Sequence, residues 1–319
     1  MNIDMIRAAA ARGEGHIRKT PMLNSPFLDE IAGRRVFVKC ENLQVTGSFK
    51  FRGGWSAISG MEIGKGVIAY SSGNHAQGVA AAAQAHGFPA VIIMPSNAPT
   101  LKIENTKALG AEVITYDRST QSREEIGERI AQERGLTLVK PYDEPFVIAG
   151  QGTTGLEIAT QARAFGITNA QVLIPCGGGG LTSGVALALE SDAPGLKVRP
   201  VEPEGFDDVA RSLRSGHIET NNAADGSISD AILTPAPGEV TFPILKSRVG
   251  PGLTISDELA LRAMAQAFLR LKVVIEPGGA VALAAALFKP DEIEGDDVIV
   301  VASGGNVDPG VFEKCLSML

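Results

Sequence analysis

The sequence holds only three cysteines, Cys40, Cys176 and Cys315, and no two of them stand at CxxC spacing. So few, unmatched thiols build neither a disulfide framework nor a thiolate metal site, and they fit a reducing cytoplasm. No stretch reaches the roughly 18 uncharged apolar residues that a membrane span requires. The opening residues, MNIDMIRAAAARGEGHIRKT, contain no apolar core of signal-peptide length, and their alanine run reads as a helix with Arg7 and Arg12 on its polar side. Blocks of basic residues are missing too. The formal net charge is −7 with both signs interspersed, which argues against a nucleic-acid or anionic-membrane surface. Low-complexity segments, heptads and fixed-period repeats are equally absent.

What is present is material for a packed enzyme. The 319 residues, 44% of them hydrophobic, are enough for a large core in one large or two moderate domains. Short β-branched runs at 36–38, 67–70, 90–94, 112–116, 171–175, 197–201 and 297–302 alternate with helix-length segments such as 76–85 and 257–271. Such alternation predicts an α/β chain with parallel sheets. The stretch around 141–152 separates two groups of βα units, which predicts two lobes with a cleft between them. Residues 217–256, rich in Gly, Pro, Asn and Ser, read as a long irregular connection.

Four strand-to-helix junctions carry residues suited to chemistry. In the first, Glu41-Asn42-Leu43-Gln44-Val45-Thr46-Gly47-Ser48-Phe49-Lys50, the Thr-Gly-Ser turn opens a helix with Lys50 in its first turn. The positive helix end and partial burial both favour a neutral, nucleophilic amine there, whereas a solvated surface lysine is the plain alternative. In the second, Ser71-Ser72-Gly73-Asn74-His75, hydroxyls and backbone N–H groups converge on one space. They suit a carboxylate, and Asn74 suits a phenolic oxygen; an ordinary N-cap cluster has the same composition.

In the third junction, Cys176 precedes Gly177, Gly178, Gly179 and Gly180. Four glycines let backbone amides close around an anion, and the dipole of the following helix favours a phosphate. A Walker loop is disfavoured because Gly184 is not followed by Lys-Ser/Thr. A dinucleotide loop stays open, with Glu202 as a ribose-binding acid, although the glycine spacing is not GxGxxG. The fourth junction, Ser303-Gly304-Gly305-Asn306-Val307, ends the last apolar strand. Ser303 there is either a neutral partner for a ring nitrogen or the cap of a tight turn.

Taken in order, TGSFKFRGG, SSGNHAQG, CGGGGLTSG, IEPGGA and SGGNV resemble the fold-type II pyridoxal-phosphate enzymes of the serine/threonine dehydratase and serine racemase family, over nearly the whole chain. The resemblance implies an α/β fold of twisted parallel sheets flanked by helices, with a small domain at 46–145 and a large domain made of 1–45 and 146–319. It implies a pyridoxal 5′-phosphate Schiff base on Lys50, Phe49 beside the ring, Asn74 on the ring oxygen, Gly177 to Gly180 on the phosphate and Ser303 on the pyridine nitrogen. Glu276 of IEPGGA approaches the cofactor from the large domain. A neutral serine would leave that nitrogen unprotonated, which favours departure of a β-leaving group over transamination.

The implied reaction is loss of water from a 3-hydroxy-α-amino acid. Lys50 acts as base at Cα, the cofactor phosphate protonates the leaving hydroxyl, and the enamine hydrolyses to a keto acid and ammonia. Ser71, Ser72, Gly73, Asn74 and His75 form the substrate loop. Ser72 matches serine racemases and hydroxyaspartate dehydratases, and a hydroxyl opposite Lys50 would allow racemisation. Arg123 matches a cleft arginine of that subgroup that would pair with a second carboxylate, which places 3-hydroxyaspartate ahead of threonine and serine. Glu202, the Phe206 carbonyl and Asp208 match its divalent-cation site, suited to Mg²⁺, Ca²⁺ or Mn²⁺. The resemblance also implies a homodimer, and the end of the chain soon after SGGNV implies no C-terminal regulatory domain. A serine/threonine dehydratase proper, an amino-acid racemase, a β-replacement synthase, a dinucleotide oxidoreductase and a non-catalytic binding protein on this scaffold are the rival readings.

Overall fold

The computed structural model spans residues 1–319 and describes all of them apart from Pro99, Arg118, Ser119, Ala224 and the side chain of Leu101. Every β-branched run lies within a strand: β2 (Arg35–Cys40), β3 (Val67–Tyr70), β4 (Ala90–Pro95), β5 (Glu112–Tyr116), β7 (Ala170–Pro175), β8 (Leu196–Pro203) and β10 (Asp297–Ala302). Branched side chains suit the pleated, buried surface of a parallel sheet. Three shorter strands complete the set among the described residues, β1 (Met22–Asn24), β6 (Thr137–Leu138) and β9 (Leu253–Ile255).

The strands form two sheets, one ordered β1-β2-β10-β7-β8-β9 and the other β5-β4-β3-β6. All pairings are parallel except β1 with β2. The last strand, β10, lies inside the six-stranded sheet with β2 on one side and β7 on the other. Behind it runs the helix Pro277–Phe288, apolar all round and buried from 277 to 287, which packs on β7, β8 and β10.

Two connecting stretches contain regular elements. Within 141–152, the residues from Pro145 onward belong to a 20-residue helix, Pro145–Ala164, capped by the Glu144 carboxylate accepting from Val147 N–H at 2.7 Å. Within 217–256 lie β9 and the helix Thr241–Arg248, whose Pro243 sits in the first turn, where no N–H is needed. The expected 257–271 helix is α-helical over Asp257–Gln266 and continues as a π-turn over Ala267–Leu271.

The helix Lys50–Gly60 packs on the helices Asn74–His86 and Pro145–Ala164 at backbone distance. A Cβ at Gly78 would come within 2.9 Å of the Lys50 carbonyl carbon, and one at Gly150 would overlap the Arg52 carbonyl oxygen. Two residues past Lys50, the fully buried Arg52 guanidinium meets Glu41 at 2.7 Å and Glu157 at 2.8 Å. Lys39 joins Glu157 at 2.5 Å. This charge cluster ties the start of the Lys50 helix to β2 and to the Pro145–Ala164 helix.

Candidate active site

The four candidate junctions converge at the C-terminal ends of β2, β3, β7 and β10, where open α/β sheets bind ligands. The turn before Lys50 carries Thr46 and Gly47 at φ +65° and +74°. It is stitched to the end of β10: Phe49 N–H donates to the Ser303 carbonyl at 3.1 Å, and Gly305 N–H donates to the Gly47 carbonyl at 2.9 Å. The first and fourth junctions are therefore one structural unit. Lys50 is the first residue of its helix, and its Nζ donates to the Pro141 carbonyl at 2.8 Å, with the Phe49 ring centre 5.2 Å away. Burial lowers the Lys50 pKa to about 8, against the opposing pull of the Glu276 charge.

Asn74 opens the helix Asn74–His86 and is buried. Its Nδ2 donates to Glu276 Oε1 at 2.6 Å, while its Oδ1 accepts from Asn306 Nδ2 at 2.7 Å. Burial raises the Glu276 carboxyl to about 7. His75 points away from this cluster. Its Nε2 lies 2.9 Å from the Val139 carbonyl, so the neutral ring carries its proton there, and burial followed by the charge of Lys50 lowers its pKa to about 3. His75 therefore holds the loop to the backbone beyond β6. Ser71, Ser72 and Gly73 are partly exposed, with Ser71 Oγ accepting from Gly73 N–H at 3.1 Å.

Gly177, Gly178, Gly179 and Gly180 follow β7 and lead into the helix Gly180–Asp192, with Gly179 at φ +91°. The Gly178 carbonyl accepts from Thr241 Oγ1 at 2.7 Å. Asp143 accepts from Val240 and Thr241 N–H, which fixes that neighbouring segment. The Tyr142 ring lies against Gly178 so closely that a Cβ on the glycine would overlap it. Phe49, Lys50 and Gln151 line the same pocket, and the buried Gln151 amide has neither its oxygen nor its nitrogen paired within the protein.

Arg123 stands at the start of the helix Arg123–Arg134, half-exposed, paired with Glu124 at 2.7 Å and lying over the Tyr70 ring at 5.4 Å. Its charge opposes the burial-driven rise of the Tyr142 pKa, and Arg123 is not among the residues that line the pocket. At the end of β8, Glu202 is fully buried and accepts from Val209 and Ala210 N–H at 2.9 and 2.7 Å. Asp208 Oδ1 accepts from Asn221 at 2.6 Å, while its buried Oδ2 is unpaired. Burial and the mutual repulsion of the two carboxylates push the Glu202 pKa well above the ordinary range, and burial raises Asp208 to about 7. Phe206 is buried between them in sequence. Among the described residues no group of three or more His, Cys, Asp or Glu side chains gathers as metal ligands.

Residues 13–304 match the family described as "Pyridoxal-phosphate dependent enzyme". The chain belongs to this family. Among curated relatives of this pyridoxal-phosphate dependent enzyme, the L-threo-3-hydroxyaspartate ammonia-lyase of Saccharomyces cerevisiae is 44% identical, over 97% of this chain and 94% of that protein. Among solved structures, a threonine deaminase of T.th. superposes with TM-score 0.92 at 43% identity, covering 97% of this chain and 99% of that one. Maize serine racemase superposes with TM-score 0.91 at 36% identity, covering 99% and 97%. The fold class expected from the motifs is thus the one found.

The pocket suits the family's cofactor. A glycine loop at a helix start, an unpaired buried amide on Gln151 and a lysine amine of lowered pKa offer an anion cradle and a covalent anchor. Asn306, Tyr142, Gln151 and Thr241 belong to this pocket or its support, and the sequence reading gave none of them a role. Asn306 stood inside a quoted motif; Tyr142 and Thr241 lie where no motif marks them. Among the described residues, no helix is long and apolar enough to cross a membrane.

Proposed function

We propose that this enzyme eliminates water from a 3-hydroxy-α-amino acid, with 3-hydroxyaspartate ahead of threonine and serine, and releases ammonia and a 2-keto acid. The observation that carries this is a buried lysine beside a glycine loop, its pKa lowered by burial to about 8, in a chain 44% identical along nearly its whole length to an L-threo-3-hydroxyaspartate ammonia-lyase. Bound pyridoxal phosphate supplies the electron sink that makes Cα–H acidic.

The rest is the work of side chains. Lys50 anchors the cofactor and then takes the Cα proton on Nζ, a role that its pKa of about 8 suits near neutral pH. Gly177 to Gly180 bind the phosphate through their amides, Asn74 contacts the ring oxygen, Phe49 lies beside the ring, and Ser303 is the neutral partner of the ring nitrogen. Glu276 holds the Asn74 amide. Ser71, Ser72, Gly73 and Asn74 bind the substrate carboxylate, and His75, whose side chain is bonded to the Val139 carbonyl, holds that loop in place and offers only its backbone to the substrate. Arg123 takes the second carboxylate: its pair with Glu124 is half-exposed and holds Arg123 by only about 0–1 kcal/mol, so a substrate carboxylate competes for it.

Glu202, the Phe206 carbonyl and Asp208 would hold Mg²⁺, Ca²⁺ or Mn²⁺; two repelling buried carboxylates and an unpaired oxygen support this, and the ion's role is structural. A small domain at 46–145 within a large domain of 1–45 and 146–319, a homodimer and a cytoplasmic location complete the reading. Racemisation is a second reading, favoured by the hydroxyl of Ser72 in the Ser71–His75 loop.

The test is ammonia and keto-acid release from every stereoisomer of 3-hydroxyaspartate, and from threonine and serine, by wild type, Lys50→Ala and Arg123→Ala. Preference for hydroxyaspartate that is lost selectively in Arg123→Ala is the expected result. Preference for threonine or serine regardless of Arg123 would overturn the two-carboxylate assignment, and turnover independent of Lys50 would overturn the reaction.

A further inference from the structure

An asparagine amide presents an acceptor at one end and donors at the other in nearly the same shape, so its partners decide which end faces a ligand. Around Asn74 those partners form a chain with a fixed direction. Asn306 Nδ2 lies 2.8 Å from the Thr46 carbonyl oxygen, which only accepts, so this atom of Asn306 is the amine. The same Nδ2 lies 2.7 Å from the next amide, so the Asn74 atom facing it is the oxygen. The Asn74 amine is left on the other side, 2.6 Å from Glu276 Oε1, with one N–H for that carboxyl and a second N–H unspent.

Asn306 is itself set in place. A Cβ on Gly47 would come within 2.6 Å of its Oδ1, so the left-handed turn at Thr46 and Gly47 is what leaves room for the Asn306 amide. Val307 and Gly305 close the turn on the other side through a 2.9 Å backbone bond.

We propose that Asn306 is a positioning residue that orients the Asn74 amide so that its amine, and not its oxygen, faces the cofactor. This rests on the reading that Asn74 contacts the ring oxygen of pyridoxal phosphate. Asn306→Asp nearly preserves shape but turns a double donor into an acceptor. The carboxylate repels both the Thr46 carbonyl and Asn74 Oδ1, and Asn74 escapes this only by flipping, which takes its amine off Glu276 and points its oxygen at the cofactor oxygen. Asn306→Ala removes the donor without imposing the flip, and Glu276 still attracts the Asn74 amine. The closer mimic in shape is therefore the more damaging change, the reverse of what a packing role gives.

The experiment is a double-mutant cycle read by the dissociation constant for pyridoxal phosphate and by the visible absorption band of the holoenzyme. Asn306→Asp is expected to weaken cofactor binding about tenfold or more, Asn306→Ala only about two- to fivefold, as loss of one hydrogen-bond contact implies. In an Asn74→Ala background neither change weakens binding further, and neither adds to the band shift that Asn74→Ala causes by itself. Equal losses in both backgrounds, or Asn306→Asp binding as tightly as wild type, would overturn the proposal. If Asn306→Asp fails to fold, judged by circular dichroism, Asn306→Ala carries the same cycle alone. Asn74→Ala with unchanged affinity and band would instead remove Asn74 from the cofactor contacts, a different failure recognisable before the cycle is closed.

Discussion

Arg52→Leu is the most stringent probe of how Lys50 is held. In the native chain Arg52 Nε and Nη2 donate to the two Glu41 oxygens at 2.7 and 2.8 Å, and Nη1 and Nη2 donate to Glu157 at 2.8 and 3.0 Å. Burial alone would raise the Glu41 pKa, but the Arg52 guanidinium beside it holds it below the ordinary value. Leucine removes the charge and leaves Glu41 buried with Lys39 as its remaining cationic neighbour. Breaking one side of a buried pair costs about 3–5 kcal/mol. At roughly 2.1 cal/mol/K of unfolding entropy per residue, this lowers the melting temperature by about 4–8 °C. The assay is thermal unfolding followed by circular dichroism at pH 7 and again at pH 4.5. A carboxyl with a depressed folded pKa stabilises above its unfolded value and loses that contribution as pH falls. Without Arg52 the Glu41 pKa rises, so the gap between wild type and variant shrinks on acidification. Melting of Arg52→Leu within about 1 °C of wild type at pH 7, or a gap that widens in acid, would refute this account of the cluster.

Gly178→Ala puts a Cβ into the Tyr142 ring; pyridoxal-phosphate affinity falls at least about tenfold, close to 1.4 kcal/mol, and Tyr142→Ala in the same chain restores part of it, as equilibrium titration would report. Glu276 carries a folded pKa of about 7 against 4.5, so the cofactor-free protein binds an extra proton between those values and loses stability as pH rises through them. Glu276→Gln removes that dependence, worth about 2–4 kcal/mol across the window, and denaturant unfolding between pH 4.5 and 7.5 that stays equally steep in the variant would disprove it. Mg²⁺ or Ca²⁺ raises the melting temperature of wild type but not of Asp208→Asn, and chelation reverses the rise; a cation effect that survives in the variant would place the ion elsewhere.

Much of this was legible in the chain because seven strands are β-branched runs of ordinary length, and the four junctions that end them carry the polar and glycine residues of the pocket. What escaped has physical reasons. The strands β1, β6 and β9 have two or three residues each, too few to show a period. The helix Pro145–Ala164 is disguised by Gly150, Gly152 and Gly155, which look like breakers but serve to bring other backbones close. Asn306 was invisible as a partner of Asn74 because a hydrogen bond across 232 residues leaves no trace in local pattern. Arg52 looked like any charged residue beside Lys50, and only burial reveals that it anchors the helix.

The place of β10 inside the six-stranded sheet has a consequence for biosynthesis. One whole edge of β2, whose Val36, Phe37 and Val38 are all buried in the finished protein, waits for a partner that leaves the ribosome about 260 residues later. At roughly 5–20 residues per second that is on the order of 13–50 seconds during which an apolar strand edge stays open. Over this interval the nascent chain cannot close its pocket, because Ser303 and Asn306 are not yet made, and its open edge is a template on which another chain can pair.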